Sequence, residues 1–146
     1  MKNTITILIC SFLFFGCQQK IKPSDIANIN GYWEIEKVVS NEDKDKKYSY
    51  NETFDYFEIK NNKGFRKKVM PQLDGSFLVN DAYENVEVTF KDEKVYLNYT
   101  TSFSKWSEEL KAISSDEMIV VNSDKKEYHY KKTAPINLTG NGKTAQ

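Results

Sequence analysis

Histidine is the side chain most suited to moving protons near neutral pH, and this chain has one. His129 lies in Tyr128-His129-Tyr130, where strand alternation turns its two tyrosine neighbours to the opposite face. A satisfied surface histidine is the expected state, and a base beside a nucleophile is the alternative. Asn41, Asp43, Asp45 and Glu52 occupy the first, third, fifth and twelfth places of an EF-hand loop. The sixth place needs glycine for its turn and holds Lys46, Lys44 and Lys47 add repelling charge, and the flanks read as strands. A solvated hairpin loop is therefore expected there instead of a calcium site. Gly142-Lys143-Thr144 echoes the end of a phosphate-binding loop but lacks the upstream glycine and any helix to follow. The Asn-x-Thr sequences at Asn51, Asn98 and Asn137 are chance matches if the protein is bacterial. No catalytic constellation survives, so the expectation is a non-enzymatic protein with no cofactor and no metal.

Binding chemistry has more to work with. Phe, Tyr and Trp make up 14% of the chain, more than a minimal core needs. These rings either fill a small core or line a shallow apolar cavity. The candidate lining is Trp33, Phe57, Phe65, Phe77, Val88, Tyr99 and Trp106. Arg66-Lys67-Lys68 is a short basic run on a strand where Lys67 shares a face with Phe65 and Val69. Turned inward, Lys67 would neutralise a ligand carboxylate, and at the rim it would snorkel to water. Arg66 is the one arginine in a chain otherwise made cationic by lysine, so bidentate recognition of carboxylates or phosphates is scarce. With 21 basic and 21 acidic residues there is no basic surplus, which argues against nucleic acid as a partner.

Period-two alternation identifies the elements that must position these side chains. Val86, Val88 and Phe90 alternate with Glu87 and Thr89, and Val95, Leu97 and Tyr99 alternate with Tyr96, Asn98 and Thr100. Turn residues punctuate the pattern at Asn61-Asn62-Lys63-Gly64, Asp74-Gly75, Asn80-Asp81, Lys91-Asp92-Glu93, Ser114-Ser115-Asp116 and Asn122-Ser123-Asp124. Nine strands are predicted near 31–40, 52–60, 64–70, 75–80, 83–91, 94–102, 104–113, 117–122 and 125–132, with no helical period after residue 30. Short, evenly spaced strands joined by hairpins predict an all-β antiparallel meander that closes into a small up-and-down barrel of about 8–9 strands. Ser24 or Asp25 is placed to cap one helical turn over 26–29, just before it.

The N-terminus carries an address. Ile5 to Phe15 is oily but shorter than the about 20 residues a spanning helix needs, and it follows a positively charged start at Lys2. Leu13-Phe14-Phe15-Gly16-Cys17 resembles a bacterial lipobox. That resemblance implies cleavage before Cys17 and acylation of the cysteine (palmitate among the usual chains), with several acyl chains giving stable membrane anchoring. Cys10 would leave with the signal, so the mature chain would have no free thiol, no disulfide and no set of zinc ligands. Gln18-Gln19-Lys20-Ile21-Lys22 is neutral to basic, which resembles lipoproteins facing the periplasm from the outer membrane. The expected division is a signal peptide over 1–16, an acylated tether over 17–29, a barrel over 30–133 and a polar tail over 134–146.

Asn30-Gly31-Tyr32-Trp33-Glu34-Ile35 puts a Gly-x-Trp at the start of the first strand, just after a helical turn. This resembles the lipocalin opening, and from about residue 29 to 132 the chain resembles the lipocalin-like envelope lipoproteins of Bacteroidota. The resemblance implies a barrel whose tryptophan packs across a closed end and a calyx at the other. Alternation supplies an apolar interior and acylation places it beside lipid, so the expected ligand is a small apolar molecule or lipid, and the expected state is a monomer on the membrane. The alternative is a protein-interaction module, an inhibitor or accessory subunit, with a filled barrel and exposed Tyr and Phe side chains.

Overall fold

Alternation is realised most plainly where Val95, Leu97 and Tyr99 are buried and Tyr96, Asn98 and Thr100 are less so. In the computed structural model, which describes residues 20–40, 45–47 and 51–134, such strands dominate. They are β1 (Gly31–Val39), β2 (Lys46–Lys47), β3 (Phe54–Lys60), β4 (Lys63–Pro71), β5 (Phe77–Val79), β6 (Glu84–Lys91), β7 (Lys94–Thr100), β8 (Lys105–Ile113), β9 (Glu117–Val121) and β10 (Glu127–Thr133). Neighbouring strands run antiparallel in the order β10-β9-β8-β7-β6-β4-β3-β1. Pairing of β1 with β10, from Tyr32 opposite Thr133 to Val39 opposite Glu127, closes the eight into a barrel with no free edge. β2 and β5 are additions outside that cycle, on β1 and on the far end of β4.

Tight turns fix the register. Asn61 and Asn62 join β3 to β4 with φ of 52° and 62°, and Asp92 and Glu93 join β6 to β7 with φ of 50° and 64°. Two consecutive residues of positive φ are the hairpin geometry that matches the right-handed strand twist, and Asn and Asp tolerate it best. Irregularities between Ile35 and Lys37 in β1, and between Leu110 and Ala112 in β8, bend these strands around the barrel. The nine strands expected from alternation are all present. β2 is a tenth, in the segment where the EF-hand spacing falls, and most of that motif lies outside the described residues.

One end of the barrel is plugged. A 3₁₀ helix, Pro23–Ile29, starts with the Asp25 carboxylate accepting from the Lys22 amide at 2.8 Å. Its Ile26 and Ile29 belong to the same buried cluster as Trp33, Ile59, Val88, Val95, Leu97, Leu110 and Met118. The domain therefore begins before residue 30: the stretch read as tether contributes two core isoleucines, because the strand ends leave apolar surface that must be covered. Trp33 donates its indole N–H to the Ile29 carbonyl at 2.6 Å, so its large ring is buried without an orphaned donor. Asn30 acts as a side-chain strand, accepting from the Ile59 amide at 2.6 Å and donating to the Ile59 carbonyl at 3.0 Å. Lys132 Nζ lies 4.8 Å from the Trp33 ring centre and donates to the Asn28 carbonyl at 2.7 Å. Burial lowers the pKa of this ammonium.

Candidate functional site

Toward the opposite end the barrel interior changes character. Registers pair Asp55 with Lys68, Phe57 with Arg66 and Ile59 with Gly64, so these side chains share the inner face of β3 and β4. The same logic places Tyr99 beside Trp106 and Leu97 beside Glu108 on β7 and β8, and Glu84 beside Arg66 on β6. Arg66, 8% exposed, is the centre of the cluster. Its Nε donates to Glu84 Oε2 and lies 4.0 Å from Asp55 Oδ1, while its Nη1 lies 3.9 Å from Glu108 Oε2. Its guanidinium stacks over Tyr99, 4.3 Å from the ring centre, with Phe57 further off at 5.9 Å. Tyr99 in turn stacks on Trp106 at 5.1 Å. Lys68, half-exposed at the rim, reaches Asp55 Oδ1 at 2.6 Å.

These groups perturb one another in consistent directions. Burial opposes the Arg66 cation, but Tyr99, Glu84 and Asp55 outweigh it and hold its pKa above the ordinary arginine value. Burial raises Glu108, against the opposing pull of Arg66 and of the nearby Tyr99 hydroxyl. Burial pushes Tyr99 and Tyr130 well above the usual phenol range, and Asp55 adds to the effect on Tyr130. Three buried oxygens, Asp55 Oδ1, the Tyr99 hydroxyl and Glu108 Oε2, have no partner in good hydrogen-bond geometry among the described residues; Lys68 faces the first at 2.6 Å, and the other two lie beside each other. Among those residues no group of His, Cys, Asp and Glu converges as a metal cage.

Of the residues expected to line a cavity, the barrel brings five inside. Trp33 and Val88 lie in the plugged half, Phe57 and Tyr99 flank the arginine, and Trp106 stacks on Tyr99. Phe65, Lys67 and Phe77 are corrections, because all three are on the outer wall. Phe65 and Lys67 alternate out of phase with the inward Gly64, Arg66 and Lys68. Lys67 Nζ caps Phe65 and Tyr83 from outside, at 5.8 and 6.0 Å from their ring centres. Phe77 stacks on Tyr32 at 4.3 Å, and the row continues through Tyr56, Phe65 and Tyr83. Phe65 can face outward because this row shelters it, and Arg66 can face inward because three carboxylates receive it. His129 sits partly exposed on β10, its Nε2 2.5 Å from Glu127 Oε1 and away from the cluster.

Sequence reasoning passed over Asp55, Glu84, Glu108 and Tyr130. A signal existed for two of them. Asp55-x-Phe57-x-Ile59 and Trp106-x-Glu108-x-Leu110 each carry a charge in phase with apolar residues, where a half-buried strand would place it inside. Two surface grooves, of about 480 and 250 Å³, flank Ile21 on the outer wall near the plugged end and share no residue with this cluster.

A family model described as a lipocalin-like domain matches residues 29–120. A crystal structure of a lipocalin-like protein from Bacteroides uniformis is 8% identical, with a TM-score of 0.46, over 73% of this chain and 99% of the other. A crystal structure of an uncharacterised protein from Bacteroides eggerthii is 11% identical, with a TM-score of 0.46, over 71% and 98% of the two chains. No curated protein matches.

Proposed function

Because the chain belongs to the lipocalin-like domain family, we propose that it is a non-enzymatic binding protein that takes a small molecule into the half of its barrel away from the helix. The observation that carries this reading is the arginine cluster. A barrel that only needed a core would fill that half with apolar side chains, as it does around Trp33. Instead it buries Asp55, Arg66 and the Glu108 carboxylate, at a desolvation cost that folding alone does not require. Of its three buried oxygens without well-formed hydrogen bonds, Lys68 serves Asp55, and a ligand would serve the Tyr99 hydroxyl and Glu108 Oε2. A ligand with an apolar body and a polar head suits these surroundings better than a purely apolar one. Native mass spectrometry of the purified protein tests the reading. An adduct lost on denaturation supports it, and protein that stays bare after incubation with long-chain alcohols and amines overturns it.

The N-terminal sequence supports a place for this activity: a bacterial outer membrane, anchored through acylated Cys17 and facing the periplasm. Cys17→Ala releases the protein into the soluble fraction if that is right, and detergent partitioning of the variant checks it. A second reading, a protein-interaction module, is favoured by the outer aromatic row from Phe77 to Tyr83, beside the exposed Leu78 and Met70. Photo-crosslinking from position 83 in cells distinguishes it: a discrete crosslinked protein, lost in a Phe77→Ser variant, supports that role.

A further inference from the structure

The charges inside the barrel do not balance. Asp55, Glu84 and Glu108 bring three carboxylates to the cluster, and Arg66 and Lys68 bring two cations. Glu84 is hydrogen-bonded by Arg66, and Asp55 is held at 2.6 Å by Lys68. Glu108 is the remainder. Its nearest cation among the described residues is 3.9 Å away and already engaged, and the Tyr99 hydroxyl beside it is out of good hydrogen-bond geometry with its Oε2. The groups facing it are Asp55 on β3, Arg66 on β4, Glu84 on β6, Tyr99 on β7 and Tyr130 on β10, with Lys68 beyond Asp55. β1 and β9 contribute the apolar Ile35 and Val120 to the same interior.

An anionic head entering here would meet three carboxylates around an arginine that they already occupy. A cationic head would meet one carboxylate without a close cation and a phenol oxygen able to accept. We propose that the barrel selects ligands bearing a protonated amine, which docks on the Glu108 carboxylate and the Tyr99 hydroxyl while its apolar body lies against the surrounding aromatic rings. This rests on the small-molecule reading above and sharpens it by excluding fatty acids as preferred ligands.

The test uses three ligands with one tail: n-decylamine, 1-decanol and decanoate, titrated calorimetrically below their aggregation limits into wild-type protein and Glu108→Gln. The amine should bind at least about ten-fold more tightly than the alcohol, the scale of one charge-assisted hydrogen bond, and decanoate should bind most weakly. Glu108→Gln should bring amine and alcohol to within about two-fold of each other, well below the tenfold step of 1.4 kcal/mol, and a cooperative urea transition of the variant shows that it is folded. Wild-type amine affinity should fall as the solution is acidified and Glu108 takes up a proton. Equal binding of amine and alcohol, or tightest binding of decanoate, overturns the amine assignment and leaves the small-molecule reading standing. An amine preference that survives Glu108→Gln overturns the role of Glu108. Binding of none of the three overturns both readings together.

Discussion

Replacing Arg66 with Met removes the central cation and keeps an apolar stem of similar length. At about 4 Å and an effective dielectric of about 20, each ion pair is worth roughly 4 kcal/mol before desolvation is counted. The three carboxylates do not lose equally. Asp55 keeps Lys68 at 2.6 Å, and Glu84 has a quarter of its side chain in water, but Glu108 loses the one cation within 4 Å of it among the described residues. Breaking a buried pair by deleting one partner costs about 3–5 kcal/mol, and that range is expected here at about pH 7. The pH dependence carries the sharper test. The Glu108 pKa is raised in the folded state, so its protonated form contributes stability at low pH, and that contribution is lost as the pH rises through the folded value. Without the lowering pull of Arg66 that value climbs further, so the Arg66→Met penalty should be largest near neutrality and shrink toward about pH 5. Urea unfolding followed by the fluorescence of Trp33 and Trp106 measures both. With a slope of about 1.5 kcal/mol/M, the midpoint near neutrality should fall by roughly 2–3 M. A loss below about 1 kcal/mol, or the same loss at both pH values, refutes the claim that Arg66 compensates buried carboxylates.

Other perturbations address separate parts of the molecule. Glu108→Gln alone should stabilise the protein by about 1 kcal/mol near neutrality and have little effect at acid pH, by the same urea assay, because it removes the surplus buried charge. Trp33→Phe deletes the bond to the Ile29 carbonyl and leaves space at the plug, so it should cost about 2–4 kcal/mol by thermal unfolding. Gly64→Ala would place its Cβ 1.8 Å from the Glu58 carbonyl oxygen, an overlap with backbone that cannot swing away. It should cost at least ~2 kcal/mol, measured by chemical denaturation. Lys67→Ala, on the outer wall, should leave the decylamine and decanol affinities unchanged by calorimetry, and a changed affinity would place Lys67 in the site after all.

The misassignment of β4 shows where reading a strand from its letters stops. In Gly64-Phe65-Arg66-Lys67-Lys68-Val69 one face offers Gly, Arg and Lys and the other Phe, Lys and Val. Hydrophobicity favours burying the second set. The protein instead turns the first set inward and covers the second with Tyr32, Tyr56, Phe77 and Tyr83. Phe54 and Val69 on that outer wall are as buried as core residues, yet they stand apart from the core cluster. A one-residue change of parity exchanges every side chain between core and exterior, so the choice is made by neighbouring strands and not by the strand itself.

Local rules written in the sequence determined the strands and their turns. Alternation marked nine of the ten strands, and Asn61-Asn62 and Asp92-Glu93 marked two hairpins through the positive φ that such residues tolerate. Gly31 and Trp33 marked the plugged end, because a large indole beside a helical turn has few other places to bury itself. Only the tertiary structure decided that β1 meets β10, that the helix supplies core residues, and that Asp55, Arg66 and Glu108 from three strands share one interior. The physical reason is that closure and the pairing of buried charges depend on contacts distant in sequence. Arg66 is tolerable inside only once Asp55, Glu84 and Glu108 stand around it, and no short stretch of chain contains all four.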